Sequence, residues 1–442
     1  MSAEIDMKGV AGLTISENNV LSDATELFKP LVLENDVVDS REMVFRPINS
    51  GDPLEYNLPP HSTDYIQLQS ARHELELKIV NEDGTDISTS VDVAPIPLIG
   101  NSIFRQIDVE IDGKLVSSLS KNNPGYTDKI QHDLSYQHAT HAEASFYIQD
   151  EKLKADKLNS TDNKGFKTRQ LLSDQSKSFH VVCFPAIDLF TTERFFPKNH
   201  SISLKFHRAK DEFSLCKAST VSGNFKIVIV SARLYITYLK LKDDVTSKHD
   251  QKMKSGSPGY LGFKRSVLRT IPFPKHQTHF YIPNAFSGSL PKHIIIALVP
   301  TAAYNGDYNQ NPYLFKNHDL KYLDLKVNGV STPATPYKPN FSTGKYMREY
   351  RALFDNLGIK LTNAGLSNMS GAVFANEKCY FPYDFSKDKT NAFYLRKAET
   401  GAIDVSMEFA SENQTELTVL MFATYDSVLI VKDDELEFMA NV

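Results

Sequence analysis

The chain has 442 residues, which predicts two or three domains, and its 41% hydrophobic and 23% charged residues exclude a disordered chain. Its formal net charge of -5 provides no broad basic surface, so tight nucleic-acid binding by the folded body is not expected, while a local basic patch stays open. The three cysteines Cys183, Cys216 and Cys379 are widely spaced and form no C-x-x-C motif. This spacing excludes a disulfide framework and a cysteine zinc site, and it favours a reducing compartment.

The first 40 residues are expected to form an N-terminal arm. Residues 1–21 carry charges and no apolar run of signal-peptide length, and no apolar run of about 18 residues occurs anywhere in the sequence. We therefore expect neither secretion nor a membrane span. A short amphipathic stretch at residues 21–28 stops before Pro30, and the arm has too few apolar residues to fold alone. It is predicted to be an assembly arm that docks on a neighbour.

Strand patterns begin at Met43 and continue to residue 241, which we assign to the first domain, residues 41–241. Residues 73–80 alternate strictly, with Leu75, Leu77 and Ile79 on one face and charged residues on the other. Residues 107–113 alternate in the same way and end in Asp-Gly, which is typical of a strand entering a tight hairpin turn.

A helix is predicted at residues 126–136, followed by a polar segment at residues 143–178. This segment is about 23 residues longer than its counterpart in the second half of the chain, so we expect an exposed insertion at one end of the domain. Residues 242–262 are rich in Lys, Asp, Ser and Gly and predict a linker. Strand patterns resume in residues 263–432, the second domain, where residues 294–299 are continuously apolar and predict a fully buried strand. Residues 433–442 are assigned to an acidic C-terminal tail.

The two domains repeat five signals in one order. The paired signals are residues 107–113 and 323–329; Tyr126, Ile130 and Leu134 against Tyr346, Tyr350 and Phe354; residues 183–185 and 380–382; residues 202–206 and 405–409; and residues 225–238 and 417–431. The chain is therefore predicted to contain two copies of one β-rich domain. Each half has about eight short strand signals and one helix, without βαβ alternation, which predicts an all-β protein of two tandem eight-stranded antiparallel jelly rolls.

Candidate chemical groups are few, and each has an ordinary structural interpretation. His132, His138, His141 and Glu143 crowd together, but no H-E-x-x-H spacing places two imidazoles on one helical face, so solvated side chains at a helix end are favoured over a metal site. The acid pairs at residues 243–244 and 433–434 lie in polar segments and are interpreted as solvated surface. The sequence contains no P-loop, dinucleotide or nucleophile-elbow motif.

Two further clusters are candidate contact surfaces. The basic residues are Lys252, Lys254, Lys264, Arg265 and Arg269, favoured as a solvated linker and strand edge over a contact with an acidic partner or nucleic acid. The aromatic residues are Tyr304, Tyr308, Tyr313 and Phe315, favoured as loop packing over a contact surface. We therefore expect no catalytic, cofactor-binding or metal-binding residue.

In the order of its strand motifs, the sequence resembles the double jelly-roll major capsid proteins of the adenovirus-hexon type, most closely those of Polinton (Maverick) elements and adintoviruses. The resemblance covers residues 40 to 432, and two groups of residues carry it: 53–56, 64–66, 79–85 and 102–113; and 290–299, 304–308, 311–315 and 324–329. These are structural motifs rather than catalytic signatures. Residues 1–40 and 143–178 match least clearly.

The resemblance implies a non-enzymatic shell protein of the virion. It implies homotrimers in which six jelly rolls form a pseudo-hexagonal capsomer, and capsomers that tile an icosahedral particle around double-stranded DNA, with a penton or minor capsid protein as a further partner left open. Synthesis is expected in the host cytoplasm and assembly in the nucleus or cytoplasm. Two alternatives remain: a glycan- or receptor-binding β-sandwich module, and a two-jelly-roll enzyme of the amidase or glycosidase type.

Overall fold

The structure is a computed structural model, and it describes residues 36–116, 121–134, 143–357, 366, 369–385, 399–432 and 436–439. The first half contains strands β1 Val37–Phe45, β2 Leu54–Leu58, β3 Asp64–Asn81, β4 Val93–Pro95, β5 Phe104–Ile111, β6 Lys114–Leu115, β7 Lys121–Asn122, β8 Phe179–Cys183, β9 Ile202–Arg208, β10 Leu215–Lys217 and β11 Phe225–Leu241. Its helices are α1 Ile99–Ser102, α2 Pro124–Asp133, α3 Lys164–Ser173 and α4 Asp211–Ser214, with 3-10 turns at Asp174–Ser176 and Asp188–Thr191.

Helix α5, Asp243–Lys254, lies in the segment predicted as a linker and leads to the second half. The second half contains strands β12 Gly259–Phe273, β13 His279–Ser289, β14 His293–Pro300, β15 Leu320–Val327, β16 Val330–Ser331, β17 Phe381–Asp384, β18 Thr400–Phe409, β19 Leu417–Val431 and β20 Leu436–Met439. Its helices are α6 Thr301–Asn305, α7 Met347–Asn356 and α8 Gly371–Asn376. Strand β20 falls in the segment assigned to the acidic tail and pairs with β19.

Each half is a sandwich of two four-stranded sheets with the same strand order. The first half has β1-β11-β3-β8 facing β2-β9-β5-β6, and the second has β12-β19-β14-β17 facing β13-β18-β15-β16. Short strands add to these sheets: β7 pairs with β5, β20 pairs with β19, and β4 pairs with β10 as a separate ribbon. Every strand pairing in the sheets is antiparallel. The predicted all-β fold of two similar antiparallel sandwiches is confirmed.

The predicted hairpins form at the ends of β5 and β15. The turn residues Asp112 and Gly113 have φ of 49° and 74°, and Asn328 and Gly329 have φ of 50° and 82°. Two successive residues with positive φ are the requirement of a type I′ turn, whose twist matches that of the flanking strands. The Asp-Gly and Asn-Gly pairs therefore set the register of β6 on β5 and of β16 on β15.

Alternation in the strands places one face of each sheet in the core. Leu75 and Leu77 on β3 are fully buried, as the alternating pattern of residues 73–80 predicts. In the second half, residues 294–299 on β14 are buried on both faces, as their continuous apolar run predicts.

The three cysteines are buried and free. In the described parts of the chain, no helix has the length and apolarity needed to cross a bilayer.

Residues 143–178, expected to be an exposed insertion, lie partly at the surface and partly in the interior. Asn163 is fully buried and caps α3, accepting a hydrogen bond from Phe166 N while its amide donates to Asp150 Oδ1. Arg169 is 2% exposed and donates to Asp150 and to the carbonyls of Pro95 and Ile148. The polar residues of this segment satisfy one another inside the protein, so their polarity does not require solvent.

Candidate functional site

The two halves meet at an extensive contact region, which we call the junction. On the first half it is formed by α2, the 3-10 turn Asp188–Thr191 and residues 147–155 of the polar segment. On the second half it is formed by β12, the loop at residues 304–315 and residues 377–380. These elements bring together most of the polar chemistry buried between the halves.

The aromatic cluster singled out in the sequence lies in the junction. Tyr126 on α2 stacks on Tyr304 with ring centroids 5.6 Å apart and meets the edge of Tyr313 at 5.7 Å. Tyr313 Oη and Ser102 Oγ share a hydrogen bond of 2.5 Å, and Tyr308 Oη donates to the Phe225 carbonyl, also at 2.5 Å. These tyrosines therefore pack the loop of the second half onto the first half of the same chain.

A charged network at the end of α2 is buried in the junction. Asp133 is 2% exposed and accepts hydrogen bonds from Lys129 Nζ at 2.7 Å and from Lys378 Nζ at 2.8 Å. It also accepts from Tyr147 Oη at 2.5 Å and Tyr380 Oη at 2.7 Å. Lys378 and Tyr380 belong to the second half, so one carboxylate holds groups from both halves.

Burial and charge oppose each other in this network. Burial favours the neutral carboxyl of Asp133, but the two ammonium groups outweigh it and hold the pKa of Asp133 well below its usual range. Burial lowers the pKa of Lys129 to about 8, against the attraction of Asp133. A buried carboxylate with four donors is stable only while its partners stay in place, because removing one leaves an uncompensated buried charge.

Further hydrogen bonds cross the junction away from Asp133. Asp188 Oδ2 accepts from the Ser266 amide of β12 at 2.7 Å. Glu377 Oε1 accepts from the Ala155 amide at 2.8 Å, and Asn311 Nδ2 donates to the Ala155 carbonyl at 2.9 Å. The polar segment 143–178 thus contributes directly to the contact between the halves.

The histidine cluster does not assemble a metal site in the described residues. His132 Nδ1 lies 3.0 Å from Asp128 Oδ1, and although burial opposes protonation, Asp128 raises the pKa of this imidazole. Glu143 is exposed, and His138 and His141 lie outside the described residues. Within the described ranges, no group of three or more His, Cys, Asp or Glu side chains is arranged to hold a metal ion.

The predicted charged clusters are also separated in space. Asp243 and Asp244 begin helix α5, where carboxylates favour the positive end of the helix dipole, and residues 433–434 lie outside the described residues. The basic residues divide into three settings, with Lys252, Lys254 and Lys264 exposed, Arg265 stacked over Tyr425 at 4.9 Å, and Arg269 bonded to the Ala285 carbonyl.

Sequence reasoning missed the charged network itself. Lys129 and Asp133 are four residues apart on a predicted helix, which is the pattern of an ordinary surface ion pair. The repeat analysis singled out residues 380–382, but as a strand signal. Nothing in the sequence next to Lys378 indicates that it reaches a carboxylate 245 residues away.

Comparison with known proteins places this architecture among solved folds. The chain in the cryo-EM structure of the Sputnik virophage superposes with a TM-score of 0.65 at 12% identity, covering 96% of this chain and 93% of that one. The PBCV-1 virus capsid superposes with a TM-score of 0.54 at 11% identity, covering 94% of this chain and 100% of that one. The Faustovirus major capsid protein superposes with a TM-score of 0.52 at 10% identity, covering 92% of each chain. The chain is a double jelly roll.

Sequence comparison is less informative. No protein-family model matches the chain. An uncharacterized protein of Caenorhabditis elegans is 20% identical over 404 residues, covering 88% of this chain and 92% of that protein. The double jelly roll therefore extends over nearly the whole length of each solved structure it resembles, while identities of 10–12% show the fold alone.

Proposed function

We propose that this double jelly roll is a major capsid protein of the Polinton or adintovirus type, which forms homotrimeric, pseudo-hexagonal capsomers and assembles an icosahedral shell around double-stranded DNA. The observation that carries the proposal is the repeated strand order in two halves joined by a polar, buried junction. The Faustovirus match is to a major capsid protein and the PBCV-1 match is to a virus capsid, and both span at least 92% of the compared chains.

Symmetry explains why one chain would carry two copies of one domain. Three copies of a two-domain protomer present six similar edges, which is the geometry needed to pack a sheet of near-hexagonal units. For the edges to stay in register, the two halves must not move relative to each other. The Asp133 network and the tyrosines of the junction supply that constraint.

The proposal assigns no chemistry to the chain. Its partners are two further copies of itself, neighbouring capsomers and, where the shell needs one, a penton or minor capsid protein. Its location is the virion, after synthesis in the host cytoplasm and assembly in the nucleus or cytoplasm. The N-terminal arm contributes contacts to assembly.

Light scattering on the purified protein, followed by electron microscopy of the same fraction, tests this function. We expect a trimer of three times 49.8 kDa, about 149 kDa, or closed particles, with DNA protected from nuclease inside particles made in cells. A chain that stays monomeric at high concentration and physiological salt contradicts the proposal and favours the enzyme alternative. An oligomer that binds glycans and forms no particles favours the adhesive module.

The arm is tested separately by deleting residues 1–35 and counting particles by electron microscopy. We expect fewer particles with trimers still formed, because the strands of both halves that the structure describes begin at Val37. An unchanged particle yield contradicts an assembly role for the arm.

A further inference from the structure

An apolar groove of about 450 Å³ lies where the first half, helix α5 and strand β12 meet. Its lining includes Tyr65, Phe195, Met253, Tyr260 and Leu261. The side chain of Tyr260 is left half exposed, and none of the residues of α5 is buried. The groove therefore presents aromatic and aliphatic surface that the described residues do not cover.

Helix α5 is held over the groove by polar contacts at one side. Tyr65 Oη and His249 Nδ1 are 3.0 Å apart, and Lys198 Nζ donates to Asp250 Oδ2 at 2.9 Å. These bonds fix the helix against the first half and leave the apolar floor between helix and strand open. Three cationic residues, Arg194, Lys198 and Lys252, line the groove, against two anionic residues, Glu193 and Asp250. A peptide that binds here would therefore combine apolar side chains with nearby carboxylates.

The start of the described chain lies at the edge of this groove. Val37 of β1 pairs with Leu241, and the Lys242 amide donates to the Asp36 carbonyl at 2.9 Å. Leu241 is itself a lining residue. The preceding 35 residues are thus attached within a residue or two of the groove, and about eight extended residues span roughly 26 Å, more than enough to cross it.

The residues nearest to this attachment have the composition that the groove requires. Residues 26–33 read Glu-Leu-Phe-Lys-Pro-Leu-Val-Leu, with five aliphatic or aromatic side chains among eight. Residues 26–33 carry one carboxylate and one lysine, and the further carboxylates Glu17, Asp23 and Glu34 flank them. Apolar area therefore matches between the segment and the groove, and the flanking carboxylates are opposite in sign to the excess of cations that line it.

We propose that residues 26–33 of the same chain occupy this groove. The same chain is favoured over a second copy because attachment at the edge of the groove gives the segment an effective concentration in the millimolar range. Docked there, the segment bridges the first half, α5 and the second half. This inference is independent of the proposed function, because it concerns contacts within one chain.

Photo-crosslinking of the full-length protein tests the occupant. A benzophenone amino acid replaces Tyr260, and the chain is expressed in light and ¹⁵N-labelled forms that are mixed before assembly. We expect crosslinks to peptides containing residues 26–33, with both partners in the same isotopic form. Tyr281 on β13 is the matched control, because it is 59% exposed against 50% for Tyr260. Mixed-isotope crosslinks, or none to residues 26–33, overturn the proposal.

Limited chymotrypsin cleavage after Phe28 gives a second readout in the full chain. Tyr260→Ala removes the aromatic ring from the groove at an exposed position, so the fold is retained while the apolar contact is lost. We expect cleavage after Phe28 to be at least fivefold faster than in the unmodified chain, and unchanged in Tyr281→Ala. Equal rates in all three proteins overturn the proposal, and failure to form trimers has no bearing on either result.

Discussion

The two halves share one strand order, yet their equivalent long strands meet different surroundings. β11 in the first half alternates, and its outward residues Val228 and Val230 are 38% and 51% exposed. β19 occupies the same place in the second half, and every residue except Thr424 is buried. The sheet of the second half lies between its own partner sheet and the first half, which covers it with α2 and the turn Asp188–Thr191.

This difference explains how the repeat diverged. The outward positions of β3 carry Glu74, Glu76 and Lys78, as a solvent-facing antiparallel sheet requires. The equivalent strand β14 carries Ile295 and Ala297, because its outward face meets protein. One topology thus serves as an outer wall in one copy and as the centre of the molecule in the other. Substitutions at equivalent positions should separate the two roles.

The largest separation is expected between two carboxylates near the C-terminal ends of equivalent helices. Lys129 and Asp133 on α2 form an (i, i+4) pair inside the junction, and Arg351 and Asp355 on α7 form the same pair in solvent. We expect Asp133→Ala to lower the free energy of unfolding by about 3–5 kcal/mol, because two lysines lose their counter-charge in the interior.

Denaturant unfolding of both variants measures this contrast. Asp355→Ala is expected to cost less than about 1 kcal/mol, since exposed pairs contribute little. Similar losses in the two variants would mean that the junction does not depend on its charged network.

The second contrast concerns the outward faces of β19 and β11. Ser266 of β12 bonds to the first half and pairs with Thr424 of β19. Phe422 is two residues from Thr424 on the same strand, so its side chain also faces the first half. We expect Phe422→Ala to cost about 3 kcal/mol through lost burial and a cavity. Val230→Ala on β11 should cost less than about 0.5 kcal/mol. If the Val230 variant loses as much, then the outer wall of the first half is covered in the folded protein.

The third prediction is a pH dependence to which His73 in the first half and His318 in the second both contribute, since burial lowers the pKa of each imidazole. His73 is fully buried against Phe206 and Phe104, its Nε2 is 3.0 Å from Tyr56 Oη, and burial lowers its pKa to about 3. The unfolded chain takes up this proton near pH 6.5, so stability is complete above that pH. It falls by up to about 1.4 kcal/mol per pH unit as the pH drops from 6.5 towards 3.

Unfolding measured between pH 7 and 5 checks this slope. His73→Phe should remove about half of it, because burial also lowers the pKa of His318 in the second half, to about 4. His279→Phe, at an exposed position, should leave the slope unchanged. Asp133 does not add to the slope in this range, because a carboxyl whose pKa is lowered in the folded state loses its contribution to stability only below about pH 4. A slope unchanged in the His73 variant would show that other groups carry the acid sensitivity.

Local patterns explain what could be predicted from the sequence. Alternation in residues 73–80 and the glycine turns follow from neighbouring residues, so the strands and the repeat could be derived before the structure. The junction could not. Lys129–Asp133 and Arg351–Asp355 have the same spacing, and which one is buried depends on how two distant halves pack. The buried part of segment 143–178 could not be predicted for the same reason, because composition does not reveal that Asn163 and Arg169 form hydrogen bonds in the interior.

The smallest effect is expected where the two halves should behave alike. Gly113 and Gly329 have φ of 74° and 82°, and a side chain added at either meets no atom within 4 Å. Gly113→Val and Gly329→Val should therefore each damage folding through backbone strain alone, by about 1–2 kcal/mol. Gly113→Asn and Gly329→Asn should recover part of the loss, because Asn tolerates positive φ. Thermal unfolding measures all four variants. Equal losses of stability in the two valine variants would show that the turn is a local requirement, whether its sheet is an outer wall or the centre of the molecule. Two valine variants of unchanged stability would contradict the type I′ assignment.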